Sequence, residues 1–286
     1  MTQHQVSARA PQHPDFLQAQ GLLAALVAAL RSAAAELPAG VPNNAAAEAR
    51  LASGIPALTG EPLADWCALA RNVEIIADAI ADADAGVDGQ SVLREPEARA
   101  VLRGLERLPN VIDREALATV ALAGAWDAAA ELAPQLGLDP DLLVTLLDYA
   151  ARPALRAGAA QLRALLAAAN WNRGTCPACG SAPTLAVVRG KEHERHLHCG
   201  RCGTPWAFPR MRCPSCGETR HDRLGNLHAE GEGEFRRVEV CESCRGYVKS
   251  IAALDAPSAD RLLQLDLETA ALDFLALEHG YSRRVP

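Results

Sequence analysis

The sequence predicts a mainly α-helical protein with a small β module, and three features of its 286 residues lead to this prediction. Hydrophobic residues make up 49% of the chain but aromatic residues only 4%, so alanine and leucine, which favour helix, dominate the apolar content. Eight of the nine cysteines fall between residues 171 and 250. The same segment contains short β-forming runs at 235–240 and 246–251, which predict hairpins around the cysteines.

Residues 1–170 are predicted to form a helical N-terminal domain, because apolar residues recur there at helical spacing. Asp139 and Pro140 are typical of a helix cap and a first-turn proline. Pro153 is expected to break the helix that begins there, since proline removes a backbone hydrogen bond. The predicted helices cover residues 16–30, 63–86, 101–108, 114–132, 140–152 and 155–169.

The remainder of the chain is predicted to divide into three parts. A first four-cysteine ribbon is expected at 171–210, a second at 211–253 and a helical segment at 254–286. Leucines at helical spacing predict the last part. We expect its final helix to pack either on the ribbons or on the N-terminal domain.

Four Cys-x-x-Cys motifs carry the strongest functional signal. Each forms a tight turn that directs two sulfurs to one point, and a glycine after the second cysteine suits the positive φ of such a turn. In the fourth motif Arg245 stands in that position. Hairpin-length inserts favour pairing the first motif with the second and the third with the fourth. The eight predicted ligands are Cys176, Cys179, Cys199, Cys202, Cys213, Cys216, Cys241 and Cys244.

These spacings predict two tetrahedral metal sites, with dithiol redox chemistry as the alternative. Sulfur-only coordination suits both structural zinc and iron in a rubredoxin-like site, so the motifs leave the metal open. The N-terminus shows no secretory signal and no stretch reaches transmembrane length. Cysteines in a reducing compartment are more often metal ligands than disulfides, and a cytoplasmic location is expected.

The charge of the cysteine region bears on a nucleic-acid partner. Residues 171–250 hold 13 lysines and arginines against 9 acidic residues, a formal +4, so the rest of the chain carries −11 within a total of −7. A basic ribbon containing Trp206 and Phe208 is typical of nucleic-acid binding. A divalent metal with four thiolates carries about −2, however, so two such sites bring the region close to neutral. We therefore expect no nucleic-acid partner.

Other residues give weaker signals. His198, next to Cys199, is expected to be a polar residue on a strand, with a role as a ligand or proton relay as the alternative. Cys67 is expected to be a core thiol on a helix, and Trp206 to pack over the ribbon. The sequence contains no nucleophile elbow, phosphate-binding glycine loop or zinc-hydrolase motif, which predicts a non-catalytic protein.

The residues around the cysteines form a longer pattern than the four motifs alone. They are 176–183 (Cys-Pro-Ala-Cys-Gly-Ser-Ala-Pro), Leu197, His198, Cys199, Cys202, Trp206, Arg210, Cys213, Cys216, Cys241, Cys244 and 247–249 (Tyr-Val-Lys). This pattern resembles the FdhE family of formate dehydrogenase accessory proteins. The end of the chain, residues 266–281, is similar to that family's C-terminus, whereas residues 1–170 agree only in being helical. Arg245 departs from the family's usual glycine.

This resemblance implies a non-catalytic maturation factor in the cytoplasm. Its partner would be the catalytic subunit of formate dehydrogenase, and its cofactors would be iron in two tetrathiolate sites, with zinc as the alternative metal. A nucleic-acid-binding zinc ribbon and a rubredoxin-like electron carrier remain alternative functions. The sequence leaves the oligomeric state open.

Overall fold

The structure of the chain is a computed structural model that describes residues 3–6, 14–33, 40–84, 113–190, 193–229 and 235–283. The described residues group into two compact units. One comprises residues 1–16, 45–57 and 163–286, and the other 17–44 and 58–162. The linear division at residues 170, 210 and 253 stays a prediction.

Helices occupy most of the first half of the described chain and its end, and strands lie between them. The helices are α1 (Pro14–Ala33), α2 (Asn44–Ala52), α3 (Trp66–Asp84), α4 (Arg114–Ala123), α5 (Trp126–Leu136), α6 (Pro140–Gln161), α7 (Arg163–Ala168), α8 (Ala259–Glu268) and α9 (Ala270–Glu278). The strands are β1 (Gln3–Val6), β2 (Leu185–Arg189), β3 (Glu194–His198), β4 (Pro205–Ala207), β5 (Leu224–Ala229), β6 (Arg236–Cys241) and β7 (Tyr247–Ala252). This content confirms a mainly helical fold with a small β module.

Local sequence signals place the start of α6 correctly. The Asp139 side chain accepts a hydrogen bond from the backbone N–H of Leu142, and Pro140 occupies the first turn. The predicted break at Pro153 is wrong, because α6 continues through it to Gln161. Pro153 lies on a buried part of α6 with Leu155, so packing offsets the missing backbone hydrogen bond.

Three further helix predictions require correction or lie outside the described residues. The single helix predicted at 114–132 is two helices, because Gly124 takes a left-handed conformation with φ of 71° and ends α4. The helix predicted at 155–169 is divided between the end of α6 and the short α7. The helix predicted at 101–108 falls outside the described part of the chain.

The seven strands form one mixed sheet in the order β1-β5-β6-β7-β2-β3-β4. Strands β2, β3 and β4 make one antiparallel meander, and β5, β6 and β7 make another. Parallel pairing of β2 with β7 joins the two meanders, and β1 adds to β5 in parallel. Strand β1 is a correction, because residues 1–170 were predicted to be helical throughout.

Helices α8 and α9 pack on one face of this sheet. Leu272 and Leu275 of α9 share a buried cluster with Val238 and Val240, while Leu262 of α8 packs with residues of β2 and β7. The final helix therefore packs on the strands of the cysteine region, which is one of the two arrangements that the sequence predicts. Side chains alternate between the faces of a strand, so neighbouring residues point to the opposite face.

A buried ionic network joins β7 to the two C-terminal helices. The Lys249 side chain is completely buried, and its Nζ lies 2.8 Å from Asp266 Oδ1 and 2.6 Å from Asp273 Oδ2. It also donates to the backbone oxygen of Asp266 at 2.6 Å. Arg283 pairs with the same two carboxylates. Burial would raise the pKa of Asp266, but Arg283 and Lys249 hold it below its ordinary value.

Among the helices described, none is long and apolar enough to span a bilayer.

Candidate metal centres

The four Cys-x-x-Cys motifs fold into four turns with the same hydrogen bonds. In each turn the carbonyl of the first cysteine accepts from the backbone N–H four residues later, at 2.8–3.0 Å. The backbone N–H of the first cysteine donates to a carbonyl five residues later, at 2.9–3.1 Å. Both bonds require the residue after the second cysteine to take positive φ. Gly180, Gly203 and Gly217 do so at 80°, 79° and 77°.

Arg245 takes the same position in the fourth turn with φ of 57°. A non-glycine residue in this conformation is strained, and side-chain contacts compensate. Its guanidinium lies 2.6 Å from Glu242 Oε2, donates to the His279 carbonyl at 2.6 Å, and lies 4.1 Å from the centre of the Tyr281 ring. The Arg245 carbonyl also accepts from the backbone N–H of Ser282. Arg245 therefore attaches the fourth turn to the end of α9.

Replacing Arg245 should separate backbone strain from these contacts. We expect Arg245→Ala to lower the free energy of unfolding more than Arg245→Gly does, by about 1 kcal/mol, because both lose the guanidinium but only glycine accepts positive φ without strain. Urea unfolding of the two metal-loaded variants measures the difference. Equal stability of the two variants would show that the conformation of this residue is unimportant.

The first sulfur cluster, formed by Cys176, Cys179, Cys199 and Cys202, is shielded from solvent. Its residues are between 0% and 9% exposed, and the sulfurs all lie within 4.8 Å of one another. Sγ atoms of Cys176 and Cys202 are 3.4 Å apart, and those of Cys179 and Cys199 are 3.5 Å apart. Thr204 Oγ1 lies 3.1 Å from Cys202 Sγ. The turn is also fixed from outside, since the Pro177 carbonyl accepts from the backbone N–H of Ala57 at 2.8 Å.

The second sulfur cluster, formed by Cys213, Cys216, Cys241 and Cys244, reaches the surface. Cys216 is exposed and Cys244 half-buried, whereas Cys213 and Cys241 are buried. The four sulfurs again lie within 4.8 Å of one another. Cys213 is 3.7 Å from Cys244 and Cys216 is 3.7 Å from Cys241, measured between Sγ atoms. The sulfurs thus group first with second motif and third with fourth, as the hairpin-length inserts predict.

The thiols in each cluster differ in acidity. Burial raises the pKa of Cys176 well above its ordinary value, whereas hydrogen bonds from Cys176 and then Cys199 hold that of Cys179 well below it. In the second cluster burial raises the pKa of Cys213. Burial acts in the same direction on Cys216, but hydrogen bonds from the Glu218 backbone and neighbouring sulfurs lower its pKa overall. A cation binding four thiolates would therefore displace protons from the buried thiols.

The donor set and its geometry fit a tetrahedrally coordinated ion. Metal–sulfur bonds of about 2.3 Å require sulfur–sulfur edges of about 3.8 Å, whereas a disulfide brings two sulfurs to about 2.05 Å. The distances of 3.4–3.7 Å lie close to the tetrahedral edge. Either cluster could hold zinc or iron, since both metals accept four thiolates.

The structure also places the residues with weaker sequence signals. His198 is on β3, as predicted, and is fully buried with no hydrogen bond to either ring nitrogen among the described residues. Trp206 is buried, and its Nε1 donates to the Arg173 carbonyl at 3.1 Å. The prediction that Cys67 is a core thiol is wrong, because Cys67 is exposed on α3.

Fold and clusters together define a helical protein with two rubredoxin-like or zinc-ribbon-like four-cysteine centres on one sheet. Models of the FdhE central domain and the FdhE C-terminal domain match residues 175–210 and 211–286. The fold is similar to the crystal structure of the FdhE protein from Pseudomonas aeruginosa, with a TM-score of 0.58 and 27% identity over 95% of this chain and 92% of that one. The chain is therefore similar to FdhE proteins in its two cysteine-bearing segments and in its fold.

Curated relatives show the same likeness over parts of their length. An FdhE homolog from Pseudomonas aeruginosa is 36% identical over 168 residues, which are 57% of this chain and 54% of the relative. One from Stutzerimonas stutzeri is 29% identical over 208 residues, or 71% of this chain and 63% of the relative. The matches thus span between about half and two thirds of these relatives.

Proposed function

We propose that this chain is a non-catalytic maturation factor of the cytoplasm that engages the catalytic subunit of formate dehydrogenase. The observation that carries the proposal is the combination of whole-chain similarity to an FdhE protein with all eight motif cysteines in two four-sulfur clusters. The formate dehydrogenase partner is inferred from the resemblance to FdhE accessory proteins.

The eight cysteines are proposed as the ligands of two metal ions, with iron as the metal and zinc as the alternative. The sulfur–sulfur distances and the burial of the first cluster support this assignment. When bound, the metal joins the turn before the first strand of each meander to the turn between its second and third strands, and it compensates for the small core of such modules. Exposure of Cys216 also favours, as a second candidate function, electron transfer through the second cluster.

Co-purification tests the proposed partner. A tagged form of this chain is expected to retain the formate dehydrogenase catalytic subunit from the same cell, and a deletion strain is expected to lose formate dehydrogenase activity. Restoring the intact chain should restore activity. Normal activity in the deletion strain would contradict the proposal.

Elemental analysis with an absorption spectrum tests the metal. Protein made with iron and zinc both available is expected to hold two equivalents, and ferric tetrathiolate gives visible charge-transfer bands that zinc lacks. Cys67→Ser is the matched control, because Cys67 is an exposed cysteine outside both clusters. Finding only zinc would reject iron and the electron-transfer function together.

A further inference from the structure

A groove lies on the sheet face opposite to α8 and α9. Val188, Arg237, Ser250 and Ala252 line a cavity of about 670 Å³ there. They alternate along their strands with residues such as Lys249, which faces the C-terminal helices. A smaller cavity of about 70 Å³ adjoins it and is lined by residues of the third and fourth cysteine turns. Arg210 and Arg237 line both cavities, which together we call the arginine groove.

The described lining of the arginine groove is strongly basic. The described lining contains a single carboxylate, that of Glu239, and four guanidinium groups, those of Arg195, Arg210, Arg212 and Arg237. Glu239 pairs with Arg195 at 2.6 Å and lies 3.4 Å from Arg237. The described lining therefore carries more guanidinium charges than this single carboxylate can match.

Three of these arginines retain unused donors. Arg195 is 4% exposed, yet its Nε has no hydrogen-bond partner among the described residues, and the same holds for the buried Nε of Arg237. Arg210 is exposed and makes no hydrogen bond or ion pair with any described residue. Buried donors without acceptors are unfavourable, so they favour a bound acceptor. Guanidinium groups bind carboxylates especially well because two parallel hydrogen bonds form.

Apolar side chains flank the arginines at the surface. Phe235 is 72% exposed, Leu254 is 96% exposed, and both line the larger cavity. Met211, 46% exposed, lines the smaller one. Large apolar residues grouped around a cavity are typical of a binding surface. Arginines flanked by exposed apolar side chains favour a ligand that carries carboxylates and apolar groups side by side.

We propose that the arginine groove binds an acidic polypeptide segment of a partner protein. Carboxylates of the segment pair with Arg210 and Arg237, and its apolar side chains cover Phe235 and Leu254. A polypeptide is favoured over a nucleic acid because the groove is partly apolar and the chain carries a net charge of −7. The inference rests on the proposed function in that the segment would belong to the protein being matured.

Binding of synthetic peptides to the full metal-loaded chain tests the groove. The probes are fluorescein-labelled peptides that are rich in glutamate and contain phenylalanine and leucine, each with an analogue in which glutamine replaces glutamate. We expect saturable binding of the acidic peptides, weakened about tenfold or more in the glutamine analogues, because the carboxylates supply charge-assisted hydrogen bonds.

Two variants test whether the acidic peptides bind at the arginine groove. Arg210→Ala is expected to weaken the acidic peptides about tenfold and to leave the fold intact, since Arg210 has no described partner. Arg114→Ala is the control, because it removes the same charge from an exposed position on α4. Equal loss in both variants, or no loss in either, would overturn the proposal. Salt-dependent displacement of the peptides by a single-stranded oligonucleotide, bound more tightly than they are, would also overturn it.

The peptide test and the co-purification test have independent outcomes. Absent peptide binding with intact co-purification would reject the arginine groove and leave the maturation partner standing. Peptide binding that depends on Arg210, in a chain that does not retain formate dehydrogenase, would support the groove and reject that partner.

Discussion

Cys176→Ser is expected to remove one metal equivalent and to destabilise the sheet-bearing unit by several kcal/mol, on the order of 5, because structural tetrathiolate sites contribute much of the folding free energy of their modules. Cys176 is fully buried, and the next residue accepts a backbone hydrogen bond from Ala57. Loss of the metal therefore leaves buried thiols without a cation. It also releases the segment at Ala57, which is hydrogen-bonded to this turn. Elemental analysis and urea unfolding measure the two effects.

Cys216→Ser should have a smaller effect, about 1–2 kcal/mol. Cys216 is exposed, so water can complete the coordination of the metal in its place. Cys67→Ser is expected to change neither metal content nor stability. If Cys176→Ser keeps two equivalents, Cys176 is not a ligand. If Cys176→Ser and Cys216→Ser lower the free energy of unfolding equally, the deeper burial of the first cluster does not increase its contribution to stability.

Lys249→Met is expected to lower the free energy of unfolding by about 3 kcal/mol, because removing one partner of a buried ion pair leaves the others uncompensated. Among the described residues, the two carboxylates of Asp266 and Asp273 would then have Arg283 as their one cationic partner, beside the hydrogen bond from the Tyr247 hydroxyl to Asp273. The change acts within the contact of α9 with the sheet. Hydrogen exchange should therefore accelerate in β7 and α9 and stay unchanged in α3 and α6.

Arg114→Met is the matched control for Lys249→Met, since it replaces an exposed cation by the same side chain. Exposed substitutions of this kind usually change stability by less than about 0.5 kcal/mol. A shift in the urea midpoint no larger than that of the control would show that the network contributes little. Faster exchange in α6 as well would show that the effect is not local.

Features encoded by adjacent residues could be predicted from the sequence. Asp139 with Pro140 marks the start of α6 because a cap and a first-turn proline act within one turn of helix. The grouping of the sulfurs could also be predicted, because the insert between the two motifs of each cluster has the length of a hairpin. Pro153 shows the limit of local evidence. Its effect on the helix depends on how well the surrounding turns are packed, which only the tertiary structure determines.

Features that depend on distant residues could not be predicted. Parallel pairing of β2 with β7 leaves no local signature, because the strands are separated by β3 to β6. Lys249 stands in an ordinary strand pattern, and its burial makes sense only with carboxylates supplied by α8 and α9. The positive φ of Arg245 could be suspected from the three glycines in equivalent positions, but its contacts with His279 and Tyr281 could not.

The parallel join between β2 and β7 has a consequence for synthesis of the protein on the ribosome. The meander containing β2 emerges first and exposes that strand as an open edge until β7 has been made. Long-range pairing of this kind is slow and leaves nascent chains prone to aggregation. The first cluster is complete in sequence before the second exists, so metal supply during translation should determine how much of the newly made chain stays in solution.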